Sequence, residues 1–292
     1  MRIGLFTPLR SPVATPEFLT RFGRTCEDRG ISSLWLGEHV VTFPEYESTY
    51  PGSPDGVFRF PEHSGLLDMV AAIGFLAGTT ETIRLGTGIC ILPQNNPVYV
   101  AKEYATCDFL SNGRVDFGIG VGWSWEEFEA LGVPFERRGA RCDEYIEVIR
   151  SLWCDEVSSF EGEFYTLKDS LLYPKPVQKP MIPLTIGGHS KAALKRTARV
   201  GDGWYGINAS PEETARILKT LDGYLAEQGR TRDEVKIIMG AVGDQFDPTL
   251  VDQYAEVGVD ELLIPYLRQG LKHMDANLDL VTPYLEAAAS IS

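Results

Sequence analysis

The sequence predicts an α/β protein folded as one (β/α)8 barrel, the TIM-barrel fold, and three observations lead to this prediction. Strand-like runs alternate with helical patterns along the whole chain, and eight strand-then-helix units are present. The strand-like runs are continuously apolar, as strands covered on both faces are. No domain linker or low-complexity segment interrupts the series over the 292 residues. Eight parallel strands favour closure into a barrel, and an open doubly wound sheet is the alternative.

The predicted elements follow one another at the spacing of βα units. Strands are predicted over residues 2–8, 31–39, 83–93, 114–122, 183–187, 203–207, 235–240 and 261–265. Helices are predicted where apolar residues recur at intervals of three and four. They cover residues 16–29, 64–78, 98–110, 137–153, 190–200, 211–228, 248–257 and 270–288.

Local signals support individual helices. In the first, Phe18, Phe22 and Cys26 lie on one apolar face, and Gly30 is placed to end the helix. The sixth begins with Ser210 as its cap and a proline directly after it.

Two connections exceed the usual βα loop, so the barrel is predicted to carry insertions after strand 2 and strand 4. The first, residues 40–63, is rich in Pro, Gly, Tyr, Glu and Ser, and the second, residues 160–180, is rich in aromatics and prolines. The first is predicted either to form part of a substrate wall or lid, or to be an ordered surface loop. Its aromatic residues are Tyr46, Tyr50, Phe58 and Phe60. Residues 1–292 are predicted to form a single domain.

Composition excludes several classes of partner. Lys plus Arg total 27 against 41 Asp plus Glu, a formal charge of −14, so the chain gains no counterion release on nucleic acid and none is expected as a partner. No stretch approaches the roughly twenty apolar residues that span a bilayer, so no membrane partner is expected. The start MRIGLFTPLR reads directly into a strand without a signal region, which predicts a cytoplasmic protein.

Motif searches narrow the chemistry further. The sequence has no H-E-x-x-H, clustered metal ligands, G-x-S-x-G or Walker motif, so no metal site is predicted and a hydrolase is disfavoured. The five cysteines are widely spaced and form no C-x-x-C pair, which predicts reduced, buried thiols.

Ionisable residues end the second predicted strand, and the carboxyl ends of barrel strands are where active sites form. Glu38 and His39 directly follow the apolar run SLWLG. Both side chains are predicted to point into the barrel mouth, and these are the candidate catalytic residues. Histidine exchanges protons near neutral pH with little adjustment. The alternative is a scaffold histidine that bonds to a loop carbonyl.

Glycines are concentrated where the third and fourth strands end. Gly88 and Ile89 lie close to the end of the third strand, where glycine marks either close approach to a ligand or a tight bend. The fourth strand ends GIGVGW, so Gly122 and Trp123 are candidates to line a planar ring. This run lacks the third glycine and the acidic partner of a dinucleotide-binding motif.

A candidate phosphate site follows the fifth strand. Gly187 and Gly188 let the backbone turn around an oxyanion, and the free amides at the start of the helix SKAALKRTARV donate to it. Ser190 is placed to cap the helix or to bind the ligand, and Lys191 adds a positive charge. The alternative is a simple turn before a capped helix. A glycine-lined mouth, a phosphate site and a histidine together favour a bound organic cofactor.

The sequence resembles the bacterial luciferase-like flavin and deazaflavin oxidoreductases, and most closely the branch that uses coenzyme F420. The resemblance covers nearly the whole chain. It rests on SLWLGEHV, IRLGTGICILPQNNPVYVAKEYATCDFLSNGRVDFGIGVGW, EEFEALGVPFERRG, FEGEFYTL, YPKPVQKP and IGGHSKAALKRTARVGDGW, which occur in the order found in the family.

The resemblance implies a TIM barrel, usually a homodimer, whose cofactor ring lies across the carboxyl end of the barrel. It implies a non-prolyl cis peptide at Gly88–Ile89 behind the ring, and a phosphate contact at Gly187, Gly188, Ser190 and Lys191. In similar F420-dependent sugar-phosphate dehydrogenases an Asp-His pair ends the second strand and a glutamate follows the fourth. Trp123 stands at that glutamate position here, so the sugar-phosphate substrate is not carried over. Glu126, one turn later, is a substitute candidate.

The resulting hypothesis is an F420-dependent oxidoreductase. A hydride would pass between C5 of the deazaflavin and a small organic substrate, and His39 would exchange the proton. An FMN-dependent luciferase-like monooxygenase is the alternative, because the phosphate site serves either cofactor. A second alternative is a non-catalytic protein that binds a flavin or deazaflavin.

Overall fold

Eight parallel strands close into a barrel in the computed structural model of the protein, which describes residues 1–53, 55–61, 63–241, 247–265 and 270–291. Its strands are β1 (Arg2–Phe6), β2 (Ser33–Leu36), β3 (Arg84–Thr87), β4 (Cys90–Ile91), β5 (Val115–Gly120), β6 (Ser158–Glu161), β7 (Thr166–Ser170), β8 (Leu184–Gly187), β9 (Gly203–Ile207), β10 (Lys236–Gly240) and β11 (Glu261–Ile264). Around the barrel the order is β1, β2, β3, β5, β8, β9, β10 and β11, and β1 pairs with both β2 and β11. The predicted (β/α)8 TIM barrel is confirmed.

Helices surround the barrel and begin at side-chain caps. In the described residues they are α1 (Pro16–Asp28), α2 (Met69–Thr79), α3 (Pro97–Leu110), α4 (Trp125–Ala130), α5 (Arg138–Cys154), α6 (Lys191–Val200), α7 (Pro211–Glu227), α8 (Leu250–Glu256) and α9 (Leu271–Ser290). Ser210 caps α7 as predicted, by accepting a bond from the Glu213 amide. Asp68 accepts from the Ala71 amide in the same way, so α2 begins at Met69 and not at residue 64.

Two further predicted segments differ from the structure. The strand predicted over residues 83–93 is interrupted: β3 ends at Thr87, and β4 pairs with β5 through Cys90 opposite Ile119. Part of the excursion predicted over residues 160–180 belongs to the antiparallel hairpin β6–β7, in which Phe160 lies opposite Leu167. The hairpin buries these two side chains only partly against the core, so its apolar alternation is weak in the sequence.

The core has two layers. The larger one lies between the strands and the helices, and the smaller one fills the barrel interior with Trp35, Tyr205, Ile238 and Leu263. The Trp35 and Tyr205 rings stack with their centroids 5.5 Å apart. Ile89 packs on this inner layer while remaining partly exposed. The inner layer therefore forms the floor of the barrel mouth.

Buried charges fill the opposite, amino-terminal end of the barrel. Arg84 binds both carboxylate oxygens of Asp116, at 2.6 and 2.7 Å. The fully buried Glu261 side chain lies against Lys236 and accepts a bond from the Ser33 hydroxyl. Burying a carboxylate is tolerated only with such partners. This end of the barrel serves stability, as is usual for the fold.

The thiols differ at one position from the prediction that all are buried. Four cysteines are buried, but Cys154 is exposed because it is the last residue of α5. Burial raises the pKa of the Cys142 thiol to about 12, so it stays protonated. No helix of the described chain is long and apolar enough to cross a bilayer. The same residues hold no group of three or more His, Cys, Asp or Glu side chains arranged to bind a metal.

Candidate active site

Residues 37–53, 55–61 and 63–68, which follow β2, cross the mouth of the barrel. Asn208, which follows β9, donates from its side-chain amide to the Gly52 carbonyl at 2.7 Å. In the strand order, β2 and β9 are separated by three strands in either direction and lie on opposite sides of the barrel. We call these described residues, 37–53, 55–61 and 63–68, the mouth loop, because they connect one side of the opening to the other.

Glu126 holds the mouth loop down. Its carboxylate accepts the backbone amides of Glu47 and Ser48 at 2.7 and 2.9 Å. The Ser48 hydroxyl in turn accepts the Trp125 amide at 3.0 Å. Desolvation opposes ionisation of Glu126, but hydrogen bonds from Ser48 and Ser124 outweigh it and lower the pKa of this carboxyl to about 2. Glu126 is therefore a charged anchor for the loop and does not contact His39.

Aromatic rings of the mouth loop pack on Trp123, which follows β5. The Trp123 ring lies 5.4 Å from Tyr46, 5.0 Å from Tyr50 and 5.3 Å from Phe58, measured between centroids. Phe60 stacks on Phe58 at 5.8 Å. All five side chains are partly exposed. We call these five residues the aromatic wall.

His39 lies beside this wall and is paired with a carboxylate that the sequence did not point to. Its Nδ1 lies 3.1 Å from each carboxylate oxygen of Glu127. The Glu127 side chain is fully buried, and that of His39 is 12% exposed. The Phe58 ring lies 4.6 Å from the imidazole. The pair therefore combines a buried anion with a histidine at the edge of the mouth.

This geometry fixes which histidine nitrogen is available. A carboxylate only accepts hydrogen bonds, so the proton of a neutral His39 ring resides on Nδ1. Nε2 is then left without a hydrogen-bond partner among the described residues. Such an arrangement lets Nε2 take up a proton as imidazolium and return it, while Glu127 stabilises the positive charge.

Glu38, the other predicted catalytic residue, turns toward β4. Its carboxylate accepts the Ile91 amide at 2.5 Å. Burial raises the pKa of Glu38 to about 7, with the Ile91 bond and Asn95 opposing the rise and the charges of Asp68 and Glu127 adding to it. The side chain supports the turn between β3 and β4, and this bond directs it away from His39.

The peptide bond Gly88–Ile89 is cis, as the resemblance implies. The Ile89 side chain lies over the backbone of Gly120 and Gly187. A Cβ on Gly120 would fall 1.8 Å from Ile89 Cδ1, and one on Gly187 would fall 3.0 Å from Ile89 Cγ2. These two glycines are therefore required by the position of Ile89, whose side chain forms part of the floor of the mouth.

Gly122 also serves packing. Its φ of +76° favours glycine, and a Cβ there would lie 2.7 Å from Ile91 Cγ2 and 2.9 Å from Phe128. Its carbonyl accepts a bond from Arg138 Nε at 3.2 Å. The structure thus places Gly122 below Trp123 as a turn residue, and its predicted contact with a cofactor stays a prediction.

The predicted phosphate site is a turn that hydrogen bonds fix to a neighbouring strand. The Gly188 amide donates to the Tyr205 carbonyl at 3.1 Å, and its carbonyl accepts from Trp204 Nε1 at 2.8 Å. His189 Nε2 accepts the Ile207 amide at 3.1 Å. Three bonds to β9 therefore fix the turn, and the Gly188 amide is already used.

The amides that remain at this turn belong to the start of α6. Ser190 caps the helix by accepting the Ala193 amide at 3.2 Å. Within the described chain, the amides of residues 189–192 have no acceptor. Lys191 begins the helix with an exposed side chain. Desolvation lowers the pKa of His189, with Glu213 opposing, so free amides and one lysine are the donors here.

The structure brings the predicted residues to one arc of the mouth. β2, β3, β5 and β8 are consecutive in the barrel. His39, the Gly88–Ile89 bond, Trp123 and the 187–191 turn follow these strands in that order. The residue that sequence reasoning missed is Glu127, which lies in the first turn of α4.

Comparison with known sequences identifies the family. The family described as "Luciferase-like monooxygenase" matches residues 1–242. An uncharacterised protein of Mycobacterium tuberculosis is 31% identical over 250 residues, which cover 85% of each chain. An F420-dependent glucose-6-phosphate dehydrogenase of Microbacterium testaceum is 30% identical over 231 residues, 77% of this chain and 63% of that protein.

Two solved structures share the architecture. An F420-dependent secondary alcohol dehydrogenase in complex with an F420-acetone adduct superposes with a TM-score of 0.79 at 18% identity and covers 98% of each chain. The oxygenating constituent of 3,6-diketocamphane monooxygenase from Pseudomonas putida, in complex with FMN, has a TM-score of 0.74 at 13% identity. It covers 100% of this chain and 99% of that one. At these identities the likeness shows the fold alone. The sequence match, in contrast, shows that the chain belongs to the luciferase-like monooxygenase family.

Proposed function

We propose that this protein is an F420-dependent oxidoreductase in which His39 exchanges a proton with a small organic substrate. The observation that carries the proposal is the His39–Glu127 pair at the mouth, after β2, the strand that pairs with β3 before the Gly88–Ile89 turn. Family membership supports an oxidoreductase, and F420-dependent enzymes among the relatives support the deazaflavin. When bound, the deazaflavin supplies hydride chemistry at C5.

The residues of the mouth fit such a cofactor. The unpaired amides of residues 189–192 and the Lys191 ammonium offer donors to an oxyanion at the start of α6. Gly188 has a φ of +108°, a backbone conformation that favours glycine, in the turn that precedes these donors. Ile89 would contact one face of a flat ring, because its side chain is the raised part of the floor. Trp123 would border the ring on the β5 side.

The residues of the chain contribute proton transfer, orientation and the exclusion of water. Glu127 orients His39 and stabilises the imidazolium, so that Nε2 donates a proton to the substrate in one direction and accepts it in the other. The mouth loop excludes water from this side of the opening. Glu38 supports the turn at β4, and we assign it no proton transfer.

Titration of the purified protein with F420 and, separately, FMN tests the cofactor. We expect F420 to bind with a micromolar or lower Kd and Lys191→Glu to weaken it about tenfold, because one charge-assisted contact becomes a repulsion. Lys195→Glu is the matched control. Lys195 lies on the same helix as Lys191, but its ammonium lies over the Tyr224 ring of α7. Selective FMN binding would instead favour the flavin monooxygenase that the FMN-bound neighbour represents. Binding of neither would refute both.

Substitution of His39 tests catalysis separately from binding. His39→Gln should leave the F420 affinity within about twofold and lower turnover by about 10²–10⁴-fold, the usual contribution of a general acid. Glu127→Gln keeps the shape of the partner but removes its charge, and turnover should fall by about 10–100-fold. A protein that binds F420 and shows no turnover sensitive to His39 would be a binding protein without catalytic function.

We further propose a homodimer. Tyr99 and Leu110 lie on one face of α3, about three turns apart and 70% and 64% exposed, and Phe109 adjoins Leu110. Lys102 of the same helix donates to the carbonyl of Tyr173, which places another exposed ring next to this face. Exposed apolar side chains grouped in this way are typical of a subunit interface. Sedimentation should give a dimer for the native chain and a monomer for Leu110→Asp.

A further inference from the structure

The aromatic wall and its surroundings determine what kind of molecule fits against His39. Phe58 contacts the imidazole, and it also lies 5.0 Å from Tyr50 and 5.5 Å from Tyr46. Trp123 closes the other side, 6.0 Å from the His39 ring. Because the rings stay partly exposed, they present apolar faces to the mouth rather than forming a closed core.

The wall itself carries no charge. Burial raises the pKa of the Tyr50 hydroxyl. It does the same for Tyr46, where Glu127 and Glu126 add to the effect. Both phenols therefore stay neutral in ordinary buffers, and the remaining members are hydrocarbon rings and an indole.

The charges next to the wall are negative. Glu126 and Glu127 lie on its α4 side. Two arginines of the described chain adjoin the wall, next to Phe58 or through Gly122, and both already have partners. Arg59 pairs with Asp55 at 2.6 Å and is 68% exposed. Arg138 donates to the Gly122 carbonyl and covers the Phe135 ring at 3.7 Å.

From this we infer that the substrate is an uncharged small molecule with an aromatic or aliphatic body, held on the aromatic wall with a polar atom toward His39 Nε2. The inference rests on the proposed function, because it concerns the substrate of the same site. An anionic substrate would lose hydration on the apolar rings and lie near two carboxylates, and the positive charge of a protonated His39 is already paired with Glu127. A sugar phosphate, as named for the dehydrogenase relative, would find no unpaired cation for its phosphate beside this wall among the residues that the structure describes.

Matched probes that differ in charge test the inference by calorimetry, without turnover. We use acetophenone as the neutral probe, benzoate and phenyl phosphate as its anionic counterparts, and glucose 6-phosphate. All four are titrated into the protein with and without F420. We expect acetophenone to bind at least about tenfold more tightly than any anion. Tighter binding of benzoate, phenyl phosphate or glucose 6-phosphate at this wall would overturn the inference.

Variants locate the binding. Phe58→Ala should weaken acetophenone about tenfold, since it removes the ring that contacts all four other wall members and His39. Phe58→Leu, which keeps most of the volume, should weaken it less and guards against loss of loop structure. Leu280→Ala on α9, an exposed apolar truncation, should change nothing. Equal losses in Phe58→Ala and Leu280→Ala would refute the assignment. Acetophenone binding that depends on Phe58 but persists when F420 fails to bind would retain the wall and refute the cofactor.

Discussion

The contact between Ile89 and Gly120 allows a prediction that is independent of any ligand. A methyl group on Gly120 would lie 1.8 Å from Ile89 Cδ1 and 3.2 Å from Cγ1. Carbon atoms in contact lie about 3.5–4.0 Å apart, so Cδ1 must move by about 2 Å to admit the methyl group. We therefore expect Gly120→Ala to lower the free energy of unfolding by about 1–3 kcal/mol, the usual cost of overpacking.

Removing the obstructing atoms should remove the cost. In an Ile89→Ala background the closest remaining atom is Cβ, 4.0 Å from the added methyl. Gly120→Ala should then be neutral or stabilising by about 0.5 kcal/mol, because alanine restricts the unfolded chain. The predicted coupling between the two substitutions is thus about 1–3 kcal/mol, which a double-mutant cycle resolves.

Urea unfolding of the four proteins measures this coupling, provided that the m-values agree. A cost of Gly120→Ala that is the same in both backgrounds, within about 0.5 kcal/mol, would refute the packing described for this floor. The same variants link packing to binding. Ile89 leans on Gly187 as well, so its displaced side chain would rise into the mouth, and Gly120→Ala should weaken F420 more than Ile89→Ala does.

Three further predictions address the strands, a buried carboxyl and the mouth loop. Gly118→Ala should lower the free energy of unfolding by about 3 kcal/mol in urea, because its methyl would lie 2.0 Å from the Thr87 carbonyl oxygen. Gly223→Ala, in open space on α7, should raise it by about 0.5–1 kcal/mol. Similar values for the two variants would contradict the packing described for Gly118. Glu38 has a folded-state pKa of about 7 against an ordinary 4.5, so the native state holds the proton more tightly and stability falls as the pH rises between these values. The loss is about 3 kcal/mol, and Glu38→Gln should flatten this part of the stability curve; an unchanged slope would show that another group is responsible. Glu126→Ala should raise hydrogen exchange at residues 47 and 48 by about tenfold or more, since two charge-assisted bonds are lost, while exchange in α7 stays constant; equal protection in both proteins would mean that the loop is held by its rings alone.

The barrel was predictable because apolar strand-like runs alternate with helical patterns along the chain. The predicted bounds of an element were wrong where a side-chain cap or a local turn determines its end. Asp68 sets the start of α2, and the turn at Gly88–Ile89 divides the predicted third strand. Neither event changes the hydrophobic pattern, so periodicity alone does not detect it. The hairpin β6–β7 escaped for the related reason that its side chains are only partly buried.

Only those site residues that directly follow a strand were predictable from the sequence. His39 and the turn after β8 follow directly from strands, and the rule that active sites form there was sufficient to select them. Glu127 lies three residues after the helix cap Ser124, the spacing of a capping box. That pattern assigns the carboxylate to the helix terminus, whereas the fold directs it to His39. Only the tertiary position of α4 over the mouth reveals the His39–Glu127 pair. The one signal in the sequence was a second acidic residue directly after Glu126.

The GIGVG run lacks the third glycine and the acidic partner of a dinucleotide-binding motif, and the structure gives its glycines a packing role. Gly118 admits the Thr87 carbonyl, and Gly120 admits the Ile89 side chain. Gly122 makes room for Ile91 and Phe128. Each therefore has a packing partner in the third strand, its turn or α4, and none is needed to explain an approach of phosphate. The glycines of this run leave the space in which the β3–β4 turn packs, so they help to build the floor under the mouth.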